Sequence, residues 1–266
     1  MKDYKDKVVV ITGSGAGIGF ALSKAFAAHG AKVVVSDLTQ ERVQRAVDAL
    51  KALGFEAIGQ ICDVTNRQDV EALADFAMHH YDRIDVLVNN AGVGQAPASL
   101  IDMDLDAFRK VLDVNLYGVL HGIQVFGRIF REQGTLAAIY NLGSENSIYP
   151  CVPSFHAYVS SKHAVLAISE LLAEETPDFI EVAVIMPGLV ETDMTRDVFQ
   201  GMNADDFAER VIGQLKAGEF YIVSHAYNKV RLSERYENIA AAYDRYAPRY
   251  EGDDEYDIRS LIGSVT

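Results

Sequence analysis

Short runs of apolar, often β-branched residues alternate with helical stretches along most of the chain, and nothing else in it restricts the fold so tightly. The runs lie at 8–11, 32–36, 56–62, 85–89, 137–142, 181–186 and 219–223; helical periodicity covers 17–29, 40–53, 67–81, 104–130, 157–175 and 204–216. A strand buried on both faces reads as a continuous apolar run. Strict strand–helix alternation builds βαβ units into one parallel sheet covered on both sides. The expectation is an α/β fold, a doubly wound parallel sheet of about seven strands. No repeat or low-complexity linker divides it, so 1–266 reads as a single domain. Its C-terminal extension, 225–266, is helical over 229–246 and acidic over 251–257.

A hydrophobic share of 49% is ample for such a core, and a formal charge of −14 argues against nucleic acid or an anionic membrane as partner. No apolar run approaches the roughly 18 residues of a membrane span. The charged start, Met1 to Lys7, lacks the apolar centre of a signal peptide. Cys62 and Cys151 make no disulfide pattern and suit a reducing cytoplasm. The paired histidines His79 and His80 fall at a helix end, far from any cysteine cluster, so no metal is expected.

The first strand runs into Thr12-Gly13-Ser14-Gly15-Ala16-Gly17-Ile18-Gly19 and then into a helix. Glycines at a strand-to-helix turn allow close approach to a phosphate, and the helix N-terminus offers N–H groups and the positive end of its dipole. The strict G-x-G-x-x-G spacing fails; Gly13-x-x-x-Gly17-x-Gly19 is what fits. The second strand ends at Asp37, 18 residues after Gly19, near the roughly 20-residue interval of a ribose-binding carboxylate. A carboxylate there accepts from ribose hydroxyls and repels a 2′-phosphate. Ser14, Ala16 and Leu38 provide no base to receive that phosphate. NAD is therefore expected over NADP.

Tyr158 and Lys162 stand at i and i+4 on one helix face. A phenol ordinarily ionises near pH ~10, and a nearby ammonium is expected to favour the phenolate. The pair then makes an acid/base for an alcohol oxygen.

Together these motifs resemble the short-chain dehydrogenase/reductase family, in its single-domain branch, over roughly residues 5–223. The resemblance rests on T-G-x-x-x-G-x-G at 12–19, Asp63-Val64, Asn89-Asn90-Ala91-Gly92, Asn115, Y-x-x-x-K at 158–162, Pro187-Gly188 and Thr192. It implies a Rossmann fold binding NAD along Gly13, Ser14, Gly17, Ile18 and Gly19, then Asp37 and Leu38, then Asp63 and Val64. Asn90, Ala91, Gly92, Pro187, Gly188, Val190 and Thr192 complete that site, with Tyr158 and Lys162. Asp63 is expected on the adenine amino group, Thr192 on the carboxamide, Lys162 on the nicotinamide ribose, and Asn115 on a water that links Lys162 to solvent.

The family's serine usually stands thirteen residues before the tyrosine, a place that Glu145 occupies here; Ser144 is one residue earlier. Ser144 is the expected catalytic hydroxyl, with Ser147 the runner-up, if the following loop carries one extra residue. The expected activity interconverts a secondary alcohol and its ketone by Ser144, Tyr158, Lys162 and Asn115. A non-redox NAD enzyme or a silent NAD-sensing regulator of the same fold remain alternatives. Segments 93–99, 145–155 and 189–202 are expected to wall the substrate, with Glu145, Val152, Phe155, Leu189, Met194 and Phe199 facing it. Their mostly apolar character suits a hydrophobic or aromatic small-molecule alcohol or ketone. The run from Phe220 to Ala247 loosely resembles tails of bacterial members that oxidise bulky aryl-ether alcohols. Apolar residues spread around the helices at 104–130 and 157–175, which implies a homodimer or homotetramer. The helix at 229–246 is expected to dock over a substrate entrance or to clamp a subunit interface.

Overall fold

The structure is a computed structural model that describes residues 1–192, 200–255 and 257–259. Two compact units divide the chain, residues 1–225 and residues from 226 onward.

In the first unit seven strands form one sheet: β1 (Val8–Ile11), β2 (Lys32–Asp37), β3 (Ala57–Ile61), β4 (Val86–Asn89), β5 (Ala137–Leu142), β6 (Ile180–Met186) and β7 (Tyr221–Val223). Their order is β3-β2-β1-β4-β5-β6-β7, and every pairing is parallel. The side-chain period of two divides β1 between two cores. Val9 and Ile11 join α1 (Gly17–Ala28), α2 (Gln40–Ala52) and α7 (Ala204–Ala217) on one face; Val8 and Val10 join α3 (Arg67–Tyr81) and α5 (Gly118–Gln133) on the other. Strand order reverses between β1 and β4, and the crevice beyond the carboxyl ends of those strands is where such sheets bind ligands.

The stretch 104–130, expected as one helix, is broken. It forms α4 (Leu105–Leu112), a π-helical turn (Asp113–Tyr117) and α5. A π turn inserts one residue into a helix that continues beyond it, which an unbroken apolar stretch does not announce. A 3₁₀ turn, Glu145–Ser147, follows β5 and leads into the segment before α6 (His156–Glu175).

Side chains of Thr39, Asn66, Asp104 and Asn203 cap α2, α3, α4 and α7 by accepting from main-chain N–H groups of the first turn. The residues preceding α1 and α6, Ala16 and Phe155, do not. In the second unit α8 (Asn228–Tyr246) buries none of its residues; Tyr236, Ile239, Tyr243 and Tyr246 are exposed.

Candidate active site

The crevice opens on the glycine turn. Gly13 takes φ +62°, and a Cβ there would lie 2.7 Å from Ala91 Cα. Gly19 is tighter: its Cβ would meet Asn90 Nδ2 at 2.4 Å and the Gly13 carbonyl at 2.5 Å. Asn90 cannot yield easily, since Nδ2 donates to the carbonyls of Thr12 (2.7 Å) and Gly13 (2.9 Å). Thr12 Oγ1 in turn accepts from the main-chain N–H groups of Asn90 and Ala91 at 3.0 and 3.1 Å. Ser14, fully buried, locks the turn to β2: its Oγ donates to the Ile11 carbonyl at 2.7 Å and accepts from Ser36 N at 3.1 Å. The turn delivers the start of α1, where no side chain caps the first N–H groups and no acidic residue stands in the first turn. A bare backbone and an uncapped helix N-terminus are what a pyrophosphate requires. Ile18 packs half-buried against the core beneath.

Asp37, 6% exposed, stands at the end of β2 beside the turn. Its Oδ2 accepts from Gly15 N at 3.1 Å and its Oδ1 from Leu38 N at 2.8 Å, while the Leu38 side chain stays exposed. A base missed in the sequence reading stands beside it. Arg42, in the first turn of α2, brings Nη1 within 3.5 Å of Asp37 Oδ1. At the end of β3 the Asp63 carboxylate accepts from Thr65 N and Oγ1 at 2.9 and 2.8 Å. Val64 is buried beside it, against the position where a Cβ on Gly118 would sit.

Lys162 is buried, and its Nζ donates to the Leu142 carbonyl at 2.7 Å and lies 5.7 Å from the Tyr158 ring centroid. Burial alone pulls its pKa down to about 8. Burial also dominates at Tyr158: it pushes the phenol above its ordinary range, the Glu145 carboxylate adds to the rise, and a hydrogen bond with Ser144 opposes it. The expectation of a Tyr158 pKa lowered by the neighbouring lysine is corrected: burial leaves it raised instead.

Of the two serines, Ser144 is the one that acts on Tyr158, opposing the rise in its pKa. Its Oγ also accepts from Asn146 N at 3.1 Å. Ser147 is engaged elsewhere, donating to the Lys162 carbonyl at 2.7 Å and accepting from Ser144 N at 3.1 Å. Asn115, buried within the π turn, uses its whole amide on protein partners. Oδ1 accepts from Val93 N at 2.8 Å, and Nδ2 donates to the Val93 carbonyl at 3.0 Å and to Ser161 Oγ at 3.1 Å. Both amide hydrogens are taken, so a water at this position would have to be held by an acceptor atom. Gly92 passes close by; a Cβ there would stand 3.4 Å from Asn115 Oδ1.

On the substrate side, Glu145 N donates to the Pro187 carbonyl at 2.8 Å. The Glu145 carboxylate accepts from Tyr149 Oη at 3.4 Å and Cys151 Sγ at 3.3 Å. Val152 and Leu189 are 39% and 37% exposed, and Phe155 is half-buried, so apolar surface does face this side. The Pro187-Gly188 turn is held by His225, a residue no motif flagged. Gly188 N donates to its Nδ1 at 3.2 Å, and its Nε2 lies 3.1 Å from the Leu189 carbonyl. Val190 is buried and bridges to Met202, and the Thr192 methyl lies 3.5 Å from where a Gly17 Cβ would be. Met194 and Phe199 lie outside the described residues.

Residues 7–203 match the family described as short chain dehydrogenase. The chain belongs to the short chain dehydrogenase family. Its relatives include a 1-deoxy-11-beta-hydroxypentalenate dehydrogenase of Streptomyces avermitilis, 33% identical over 242 residues, 86% of this chain and 88% of the relative. A 7alpha-hydroxysteroid dehydrogenase of Escherichia coli is 34% identical over 194 residues, 72% of this chain and 74% of that one. Among solved structures, a short chain dehydrogenase/reductase from Burkholderia phymatum in complex with NAD superposes with a TM-score of 0.84 at 30% identity, covering 94% of this chain and all of that one. The chain is therefore an oxidoreductase of this family, with the glycine turn, the Tyr158/Lys162 pair and Ser144 in its sheet domain. Among the described residues no helix is long and apolar enough to cross a membrane.

Proposed function

We propose that this short chain dehydrogenase is an NAD-dependent secondary-alcohol dehydrogenase acting on a hydrophobic or aromatic substrate. One observation carries the reading: Ser144 and Lys162 both stand at the half-buried Tyr158, Ser144 opposing the rise in its pKa and Lys162 Nζ lying 5.7 Å from its ring centroid. Bound NAD supplies the hydride acceptor. The residues of the chain do the rest. Tyr158 as phenolate takes the hydroxyl proton of the alcohol, and Ser144 donates to the substrate oxygen, orienting it and stabilising charge that develops there. Lys162 holds the nicotinamide ribose and, while protonated, favours the phenolate. Asn115 keeps Val93 and Ser161 in place around them.

NAD over NADP follows from Asp37, whose buried charge opposes a 2′-phosphate. Arg42 is the group through which NADP could still gain a foothold. The exposed apolar side chains of Val152 and Leu189 support an apolar substrate. So do the names of the relatives, which act on a hydroxypentalenate and a hydroxysteroid. A homodimer or homotetramer is supported by half-exposed Leu112, Leu116, Leu120, Ile123 and Ile168 on α4, the π turn, α5 and α6. A cytoplasmic location is supported by two free cysteines.

The test is a panel of secondary alcohols and hydroxysteroids with NAD, read at the NADH absorbance, for wild type and Tyr158→Phe. Turnover in the wild type and under about a tenth of its kcat in the variant, a loss above roughly 1.4 kcal/mol, with NAD binding retained, is the expected result. No NADH from any alcohol would leave a non-redox enzyme or an NAD sensor as the reading.

A further inference from the structure

The helix that carries the acid/base tyrosine lacks a cap of its own. Phe155 stands at the N-cap of α6, and no side chain at that position accepts from the first turn. The first N–H groups of a helix need acceptors, and Ser, Thr, Asp or Asn usually provides one from the N-cap itself. Here the acceptor comes from some sixty residues upstream. Gln95 Oε1, on the segment after β4, accepts from Ala157 N at 2.6 Å and from Tyr158 N at 3.1 Å. The second bond falls on the main chain of the catalytic tyrosine. The other end of the same amide is also engaged: Nε2 donates to the Ser154 carbonyl at 3.4 Å and lies 3.2 Å from a ring nitrogen of His156.

The surroundings explain why a borrowed cap is needed. Ser154 takes φ +72°, a left-handed conformation that a serine adopts only at some cost in energy. The chain therefore enters α6 through a turn that the local sequence does not favour. Two further contacts hold the entry: Ala98 N donates to the Ser154 carbonyl at 3.2 Å, and the His156 ring stacks on Phe108 of α4 at 5.9 Å. Gln95 is half-buried, so its amide works partly shielded from water. Both segments that meet at Gln95, 93–99 and 152–155, belong to the expected substrate wall.

We propose that Gln95 is a positioning residue for Tyr158: it caps the catalytic helix from outside and ties its first turn to the substrate-facing segment after β4. The inference rests on the dehydrogenase reading for its kinetic consequence only; the cap itself does not depend on it. A displacement of the reacting group by about an ångström can cost on the order of a hundredfold in rate, so a frayed first turn should show in kcat and leave dinucleotide binding alone.

The experiment compares three variants of the full chain. Gln95→Leu keeps the volume and removes the acceptor; Gln95→Ala removes both. Gln95→Glu keeps an acceptor and puts a negative charge at a helix N-terminus, where it is favoured. Gln95→Leu and Gln95→Ala should lose about tenfold or more in kcat on the preferred alcohol, with KM for NAD unchanged, and Gln95→Glu should recover most of that loss. Equal kcat in wild type and Gln95→Leu, or a Gln95→Glu as slow as Gln95→Leu, would overturn the proposal. A second readout needs no turnover. Amide hydrogen exchange of the peptide covering 156–160 should accelerate in Gln95→Leu and not in Gln95→Glu, while the peptides of α1 and α3 stay as in wild type. Unchanged exchange at 156–160 means that no cap is lost and the proposal fails. Inactivity of the wild type toward every alcohol would count against the dehydrogenase reading and not against this one.

Discussion

At the glycine-turn end of the crevice, short side chains of Thr12, Ser14 and Asn90 bond directly to main-chain atoms around the glycines. At the substrate end, Gln95, Glu145, Tyr149 and Cys151 reach side chain to side chain or across loops. The first arrangement tolerates almost no added atom, because backbone and the twice-bonded Asn90 amide already occupy the space. The second depends on long side chains that can be exchanged, each shifting an orientation or a charge by a small amount. A rigid cradle that reads a constant group and an adjustable wall that reads a variable one is the division of labour expected when one fold hosts many substrates.

The sharpest way to break that comparison is Gly19→Ala. Its Cβ would sit 2.4 Å from Asn90 Nδ2, an atom held by two hydrogen bonds. Overpacking of this kind costs about 1–3 kcal/mol, and here the strain falls on the cradle itself. NAD binding by calorimetry should be lost or cut severely, with a lower Tm. Gly213→Ala is the control: nothing lies within 4 Å of its Cβ in the middle of α7. Replacing that helical glycine should raise stability by roughly 0.5–1 kcal/mol. A Gly19→Ala protein that bound NAD like wild type would mean that the cradle is as adaptable as the wall.

Next in size is the serine pair. Ser144→Ala should lower kcat/KM by about a hundredfold, as for loss of one donor at a developing oxyanion. Ser147→Ala should lower it far less and reduce stability by about 1 kcal/mol, since it removes the donor to the Lys162 carbonyl. Steady-state kinetics and thermal unfolding on both variants decide it; the reverse kinetic ranking would put the wrong hydroxyl at the substrate.

Cofactor choice follows. Asp37→Ala should raise kcat/KM for NADP by about tenfold, equal to roughly 1.4 kcal/mol, because it removes the repulsion and frees Arg42. In an Arg42→Ala background the gain should shrink. If wild type already used NADP as well as NAD, the assignment of Asp37 would fail.

The sheet and the cradle were legible in the sequence because their causes are local. Val8 to Ile11 could only be a strand buried on both sides, and the glycines of 12–19 mark close backbone approach by their lack of a side chain. The seven strands lie where the apolar runs put them, within a residue or two at their ends. What stayed hidden depends on contacts distant in sequence. The π turn around Asn115 adds one residue to a helix that continues on both sides of it. Arg42 meets Asp37 only because α2 folds back over the end of β2, and Gln95 meets α6 across some sixty residues. The Tyr158 pKa went astray for a related reason: the helical spacing to Lys162 is local, but the burial that outweighs it is a property of the whole crevice.

The smallest expected effect concerns Glu145, the residue that stands where relatives would be expected to carry the serine. Its carboxylate raises the Tyr158 pKa, by less than burial does and by less than Ser144 lowers it. Alcohol oxidation needs the phenolate, so the rate climbs with pH through the Tyr158 ionisation, and a raised pKa moves that climb to higher pH. Glu145→Gln removes a negative charge and keeps a hydrogen-bonding group near Tyr149 and Cys151. The ascending limb of kcat/KM against pH should therefore move to lower pH, with little change in the plateau. Lys162 loses its charge as pH rises through about 8, so the measured midpoint belongs to the Tyr158–Lys162 pair and not to the phenol alone. The direction survives that coupling, because removing an anion makes the site's proton easier to lose whichever partner holds it. A limb that stayed fixed or moved to higher pH would show that Glu145 is screened from Tyr158, and that the substrate wall influences orientation without tuning the charge of the site.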